Sequence, residues 1–226
     1  PLRFNHRITS KADLYFVSNG ETAPVSAQCI FRVNSGKPVL LHPEDGSVKA
    51  LPEYSTTPDS RTAVPLHFDA GESYFILFEP DAEAQTEPAA PANYQEPKEF
   101  LAIAGPWTVT FDPASGGPEK PVLFKQLEDW SKAESSDVRY YSGTAAYTCD
   151  FELPVDFDVA KQSLSLDLGD VEVVASVKLN GQDAGIAWKN PYRVALGAAA
   201  HPGKNTLEIR VANLWVNRLI GDEKLP

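Results

Sequence analysis

The chain has 226 residues, of which 42% are hydrophobic and 23% charged, values typical of a globular protein with a sizeable core. Twenty Lys and Arg against 31 Asp and Glu give a net charge of -11, and such a surface repels phosphate backbones and anionic lipid headgroups. Nucleic-acid and peripheral-membrane roles are therefore disfavoured. No apolar run approaches the roughly 20 residues that a spanning helix needs, and two cysteines do not form a disulfide framework.

The first 80 residues predict a small antiparallel β-sandwich. Short apolar or alternating runs follow one another, each separated by a polar or Gly-containing turn, and no window has sustained helical periodicity. The predicted strands are Ala12–Ser18, Val25–Val33, Ala63–Phe68 and Tyr74–Phe78.

Residues 81–98 differ in composition from the rest of the chain. The stretch PDAEAQTEPAAPANYQEP at residues 80–97 is rich in Pro and Ala and has almost no large apolar side chain. Pro lacks an N–H group and Ala buries little surface, so this composition predicts a semi-extended linker between two domains.

Residues 99–226 predict a second β-sandwich, of jelly-roll or similar type. The Asn180-Gly181 pair indicates a tight hairpin turn. Leu123, Phe124, Leu127 and Trp130 have helix-like spacing and weakly predict a helix over 120–130. The predicted strands are Trp107–Phe111, Ala145–Leu153, Ser163–Leu168, Val173–Leu179, Ile186–Trp188, Tyr192–Leu196 and Thr206–Val211.

Catalytic and metal-binding motifs are not found in the sequence. The four histidines are not within metal-ligand spacing of one another, and no G-x-S-x-G nucleophile motif occurs. A glycosidase needs two carboxylates at a defined separation, but spacing alone cannot select a pair among 31 acids. The sequence therefore predicts no catalytic residue.

Aromatic side chains are the remaining candidates for ligand contact. Trp188, Tyr192 and Arg193 flank a turn at the end of the predicted sheet, where rings can stack on a sugar and a guanidinium can donate to hydroxyls. Trp130 is a further candidate at a predicted helix or loop end. The same residues could instead cover the core or an interface with another domain.

Two other tryptophans and the two cysteines are expected to have structural roles. Trp107 lies within a strand pattern and is expected in the core, and Trp215 is expected in the core or at an interface. Cys29 and Cys149 lie in different predicted domains and are expected to be separate buried thiols.

The second domain resembles a known type of carbohydrate-related domain. The run from Leu166 to Trp215 is similar to the sugar-binding, galactose-binding-like jelly roll of glycoside hydrolase family 2 and its relatives, which has an "NG" pair, an aromatic-Pro segment and a G-x-N-x-L-x-I-x-V-x-N strand. The matching residues are Asn180-Gly181, Gly185, Pro191-Tyr192, Gly203, Asn205, Leu207, Ile209, Val211 and Asn213. The segments GPWTVTFDPASGGP and NRLIGDEKLP, and HRITSKADLYFVSN with ESYFILFE in the first domain, resemble the C-terminal region of large α-L-rhamnosidase-like enzymes of family 106.

The resemblance implies C-terminal β-domains of a polysaccharide-degrading enzyme. In such enzymes the catalytic carboxylates lie in a large barrel upstream, so no catalytic residue is transferred to this chain. It also implies a bacterial, exported protein, periplasmic or extracellular, whose partners are carbohydrate and the upstream catalytic domain of the same polypeptide. No cofactor is expected, although galactose-binding-like folds often hold a structural Ca²⁺ through backbone carbonyls and acids, and the sequence does not select its ligands.

Three functional hypotheses follow. The first is a non-catalytic accessory region of a glycoside hydrolase that acts on plant or host polysaccharide. The second is a stand-alone carbohydrate-binding module, and the third is a structural, adhesin-like pair of β-sandwiches. Fold alone does not distinguish them, because similar sandwiches serve all three purposes.

Overall fold

The computed structural model describes residues 2–79, 92–158 and 163–224. The chain divides into two compact units, Pro1–Lys98 and Glu99–Pro226. Most of the predicted linker, residues 81–91, lies outside the described residues, and the domain boundaries of the sequence analysis remain predictions. Each unit is described by itself below.

The first unit is an antiparallel β-structure. Its described strands are β1 (Leu2–Ile8), β2 (Asp13–Asn19), β3 (Val25–Phe31), β4 (Lys37–Leu41), β5 (Val48–Ala50), β6 (Ser55–Thr56), β7 (Thr62–Phe68) and β8 (Ser73–Glu79). One sheet has the order β1-β2-β8-β4-β5 and the other has the order β3-β7-β6. Alternating burial along β2 and β7 turns one face of each sheet towards a shared core, as expected of a sandwich.

Aromatic rings fill the core of the first unit. Tyr15, Phe31 and Phe78 are buried and meet edge-on or tilted, with ring centroids 4.8 to 6.2 Å apart. Asn93, in the described end of the predicted linker, is also buried: its side-chain amide donates to the carbonyls of Glu53 and Pro65 at 2.7 and 3.0 Å. These bonds fix residue 93 to the first unit.

The second unit contains the larger sheet and two short helices. Its described strands are β9 (Trp107–Thr110), β10 (Val122–Phe124), β11 (Thr144–Leu153), β12 (Ser165–Asp167), β13 (Val174–Leu179), β14 (Gln182–Ala187), β15 (Arg193–Ala195) and β16 (Gly203–Ala212). The helices are α1 (Ser136–Arg139) and α2 (Val216–Lys224), with 3₁₀ turns at Pro113–Ser115, Trp130–Lys132 and Gly197–Ala199.

A six-stranded antiparallel sheet with the order β10-β9-β11-β16-β13-β14 forms one layer, and β12 pairs with β15 separately. The long strands β11 and β16 align over ten residues; β11 buries every second side chain, and β16 does so from Asn205 to Ile209. β12 and β15 contribute Leu166 and Val194 to the same apolar core. The sequence-based expectation of an all-β, sandwich-like protein is confirmed, while the galactose-binding-like assignment remains a prediction.

The hairpin at Asn180-Gly181 is confirmed. Leu179 pairs with Gln182, which leaves two turn residues, and both have positive φ, 53° and 79°. This geometry matches the twist of the flanking strands, and Asn followed by Gly adopts it at low cost.

The helix expected over 120–130 is wrong. Val122–Phe124 instead forms β10, which pairs with β9, and Leu123 and Leu127 are exposed. A short apolar segment beside an open strand edge satisfies its N–H and C=O groups by pairing, which outweighs a weak helical spacing.

Candidate functional site

Trp188 lies on the surface of the second unit. It follows the end of β14 and is 56% exposed, so it does not point into the core. Pro191 and Tyr192 then lead into β15, and the side chain of Tyr192 packs partly against the core. Of the two aromatic residues that flank this turn, Trp188 is therefore the one with a ring open to a ligand.

Arg193 contributes a fixed guanidinium to the same turn. It is the register partner of Asp167 across the β12–β15 pair, and its Nε lies 2.9 Å from Asp167 Oδ2. Partial burial alone would raise the pKa of Asp167, but hydrogen bonds from the Gly169 N–H and from Arg193 outweigh it and lower that pKa. The pair thus presents both charged donor and acceptor groups on an exposed surface.

Trp130 differs from the other three candidates because it is a core residue. It is 7% exposed, its indole N–H donates to the Tyr147 hydroxyl, and its ring stacks parallel to that of Tyr147. Phe111 and Tyr141 meet the same indole edge-on, at centroid distances of 5.4 and 5.7 Å. Trp130 is therefore not a surface residue, because the 3₁₀ turn at Trp130–Lys132 directs its side chain into the core.

A pocket of about 660 Å³, which the sequence did not indicate, opens beside Trp130. Trp107, Trp130 and Tyr147 form part of its wall, together with Leu214 and Val216. Its acidic residues are Glu128, Asp129, Asp170 and Glu172, and no Lys or Arg lies among the described lining residues. Trp188, Tyr192 and Arg193 are not among the lining residues, so the pocket is a separate feature.

Two motif asparagines that resemble the family pattern have structural roles. Asn205 is fully buried, and its Nδ2 donates to the carbonyls of His201 and Gly203 at 2.7 and 2.9 Å. Its Oδ1 accepts from the His201 N–H and from Asn180 Nδ2, while Asn180 Oδ1 accepts from the Thr206 N–H. The network ties the hairpin turn to the start of β16, so these residues hold the fold and leave no group for a ligand.

Asn213 has a similar role at the other end of β16. Its Oδ1 accepts from the Gly143 N–H and its Nδ2 donates to the Tyr141 carbonyl, both at 2.9 Å. The buried Tyr141 hydroxyl in turn donates to the Thr144 carbonyl and accepts from the Asp112 N–H. Asn213 therefore holds the loop before β11 against the end of β16.

The remaining candidate chemistry is limited. Across residues 2–79, 92–158 and 163–224, no group of three or more His, Cys, Asp or Glu side chains is placed to hold a metal ion. The two cysteines are free thiols, as expected, but only Cys149 is buried; Cys29 is half-buried, so the expectation of a buried thiol there is wrong. Partial burial raises the pKa of Cys29 to about 11. None of the described helices is long and apolar enough to cross a membrane.

Trp215 and α2 were not assigned correctly from sequence. Trp215 is 74% exposed, so the expectation of a core position is wrong, and the expectation of an interface position remains. α2 was not predicted, although Leu219 and Ile220 follow Trp215 and Val216 at a spacing of four residues, which is the signal that would have indicated it.

Comparison with known proteins agrees with the motif resemblance. The family model for α-L-rhamnosidase matches residues 1–56. The structure of a rhamnosidase from Novosphingobium sp. PP1Y superposes with a TM-score of 0.86 and 38% identity, over 98% of this chain and 20% of that chain. The chain is related to glycoside hydrolases.

Two further matches carry a β-glucuronidase name. A Formosa agariphila protein with a provisional β-glucuronidase name is 43% identical over 126 residues, which cover 56% of this chain and 11% of that protein. A Ruminococcus gnavus β-glucuronidase structure is 20% identical, with a TM-score of 0.43, over 53% of this chain and 23% of that chain. This rhamnosidase-like chain thus spans about a fifth or less of the Novosphingobium and Formosa proteins.

Proposed function

We propose that this chain is a non-catalytic accessory region of a bacterial, exported glycoside hydrolase that acts on plant or host polysaccharide. The observation that carries the proposal is the match of nearly the whole chain to one fifth of a rhamnosidase, at 38% identity. Most of that enzyme's chain lies outside the match, and the proposal places the catalytic domain in the corresponding part of the parent polypeptide. The periplasm or the extracellular space is then the proposed location.

The exposed turn supports a carbohydrate contact within this function. Trp188 offers an indole face, and the Asp167–Arg193 pair offers charged hydrogen-bonding groups on two neighbouring strands. Sugars bind proteins through the combination of an apolar ring surface and polar groups that fix orientation. The surface at this turn, which Trp188, Tyr192 and Arg193 flank, is therefore our candidate sugar surface.

The isolated 226-residue chain should have no glycosidase activity. We expect no saturable turnover of aryl α-L-rhamnosides or aryl β-glucuronides, because the catalytic groups lie elsewhere in the parent polypeptide. Release of the aryl group, followed by absorbance, is the measurement, and the parent polypeptide is the positive control. Saturable turnover by the isolated chain would refute the non-catalytic assignment.

Replacement of Trp188 by Ala should weaken polysaccharide binding without affecting the fold. We expect Kd to rise by about tenfold or more, since a stacking ring at the centre of a site commonly contributes more than about 1.4 kcal/mol. Affinity electrophoresis in gels that contain plant polysaccharides measures the change. Ile186→Ala is the matched control, because Ile186 is similarly exposed on β14. If the gel retards the unaltered 226-residue chain and the Trp188→Ala variant equally, this surface does not bind the polysaccharide.

The stand-alone binding module is the second candidate function, and the same exposed turn favours it. A glycan-array signal from the isolated chain, lost in the Trp188→Ala variant, is expected under both functions. The gene that encodes this chain distinguishes the two functions, because only the accessory region requires a hydrolase domain in the same gene.

A further inference from the structure

The outer face of α2 is unusually apolar for a surface helix. Leu214, Trp215, Val216, Leu219 and Ile220 are 39 to 74% exposed and form what we call the α2 face. Val216 and Ile220 are four residues apart in the helix and lie side by side. Trp215 directly precedes the helix, and its carbonyl accepts from the Leu219 N–H at 3.1 Å, which places it beside Leu219. A contiguous apolar patch of this kind marks an interaction site more often than an ordinary surface.

The opposite side of α2 packs against the rest of the second unit. Gly221 is buried, and a Cβ at that position would lie 2.7 Å from Tyr140 Cβ, so only glycine permits this approach. The Arg218 N–H donates to Ser142 Oγ at 3.0 Å. At 100° per residue, position 221 is nearly opposite the centre of the α2 face, so the helix turns its small residue inwards and its large apolar residues outwards.

The α2 face adjoins the acidic pocket. Leu214 and Val216 belong to both, and the pocket's four carboxylates, Glu128, Asp129, Asp170 and Glu172, lie around the same opening. No Lys or Arg lines the pocket among the described residues, but the neighbouring Lys132 lies 3.6 Å from Asp129 and pairs with it. Glu128, Asp170 and Glu172 therefore give the apolar surface its negative margin. Such a surface is complementary to one that carries apolar side chains and Lys or Arg.

We propose that the α2 face and the adjoining pocket dock against another part of the parent polypeptide, on an apolar surface with basic residues around it. This inference rests on the proposed function, since the rhamnosidase match leaves most of that enzyme's chain outside the region shared with this protein. A second copy of this chain is disfavoured by charge. A two-fold contact would bring the same patch against itself, with carboxylates facing carboxylates.

Hydrogen–deuterium exchange tests the docking directly. Amide exchange of residues 214–224 is compared between the 226-residue chain and the parent polypeptide. We expect exchange in the parent polypeptide to be slower by about tenfold or more, because docking removes local openings of a short helix. In the parent polypeptide, Trp215→Ser combined with Leu219→Ser should return the rate to that of the isolated chain. Ile186→Ser is the control and should leave it unchanged.

The outcomes separate this inference from the proposed function. Equal exchange in both proteins overturns the docking, even where the isolated chain lacks glycosidase activity and the proposed function stands. Exchange that slows with rising concentration of the isolated chain, together with dimers in sedimentation equilibrium, identifies a second copy as the occupant and also overturns it. Glycosidase activity of the isolated chain refutes the proposed function, whatever the exchange rates.

Discussion

Replacement of Asn205 by Leu should lower the free energy of unfolding of the second unit by about 3 to 5 kcal/mol. The Asn205 side chain is fully buried and makes four hydrogen bonds, two as donor and two as acceptor. Leucine has a similar size but removes all four, which leaves the carbonyls of His201 and Gly203, the His201 N–H and one Asn180 N–H without that partner. Each unsatisfied buried group costs about 1 to 3 kcal/mol.

Tryptophan fluorescence during urea denaturation measures this effect in the second unit alone. All four tryptophans, at positions 107, 130, 188 and 215, lie in Glu99–Pro226, so the signal does not report on the first unit. Asn217→Leu is the control, because Asn217 is only half-buried, and we expect a change within about 0.5 kcal/mol. A loss below about 1 kcal/mol in Asn205→Leu would contradict the structural role of the motif asparagine.

Replacement of Trp130 by Ala should also lower stability by about 3 to 5 kcal/mol, whereas Trp188→Ala should change it by less than about 0.5 kcal/mol. Trp130 is in contact with three aromatic rings and donates to the Tyr147 hydroxyl, so its loss creates a cavity and leaves a buried hydroxyl without its donor. Trp188 is 56% exposed and lies outside the core.

Urea denaturation of both variants, followed by the three remaining tryptophans, gives the comparison. Tyr147→Phe provides an intermediate case, because it keeps the ring stack and removes only the hydroxyl that Trp130 contacts. If the Trp130→Ala variant is as stable as the unaltered 226-residue chain, the assignment of Trp130 to the core is wrong. A large loss in Trp188→Ala would contradict its assignment to the surface.

The sequence predicted the regular strands well, because alternation of apolar and polar residues reflects burial directly. β11 buries every second residue along its length and β16 does so from Asn205 to Ile209, and Asn180-Gly181 has the backbone freedom that a two-residue hairpin requires. These signals are local, so no tertiary information was needed to read them.

Elements whose formation depends on neighbours were missed. β1 (Leu2–Ile8) is an edge strand that pairs only with β2, and its side chains are mostly exposed. Its sequence LRFNHRI therefore shows no alternation of buried and exposed positions. β10 forms through the free edge of β9, and α2 packs through Gly221 on Tyr140, a contact between residues 81 positions apart in the chain. Neither pairing nor close packing of this kind is visible in a local pattern.

The exposure of two candidate side chains was predicted, while their role in binding stays a prediction. Trp188 and Arg193 flank a turn, and residues at the end of a sheet leave the core, which the structure bears out for the exposure of both side chains. Trp130 could not be distinguished by this reasoning, because its direction is set by a 3₁₀ turn capped by Asp129. The acidic pocket draws on segments between residues 107 and 217, so only the folded chain reveals it.

The most direct test of the accessory function is a comparison of two substrates in the parent polypeptide that carries Trp188→Ala. We expect kcat/KM for an aryl α-L-rhamnoside to equal that of the unaltered polypeptide, because the proposed function places the catalytic groups outside this chain. We expect kcat/KM for the polysaccharide to fall by about tenfold, because the proposed function assigns capture of the polymer to the exposed indole. An equal loss for both substrates would contradict the account, since it would place Trp188 in the catalytic step itself.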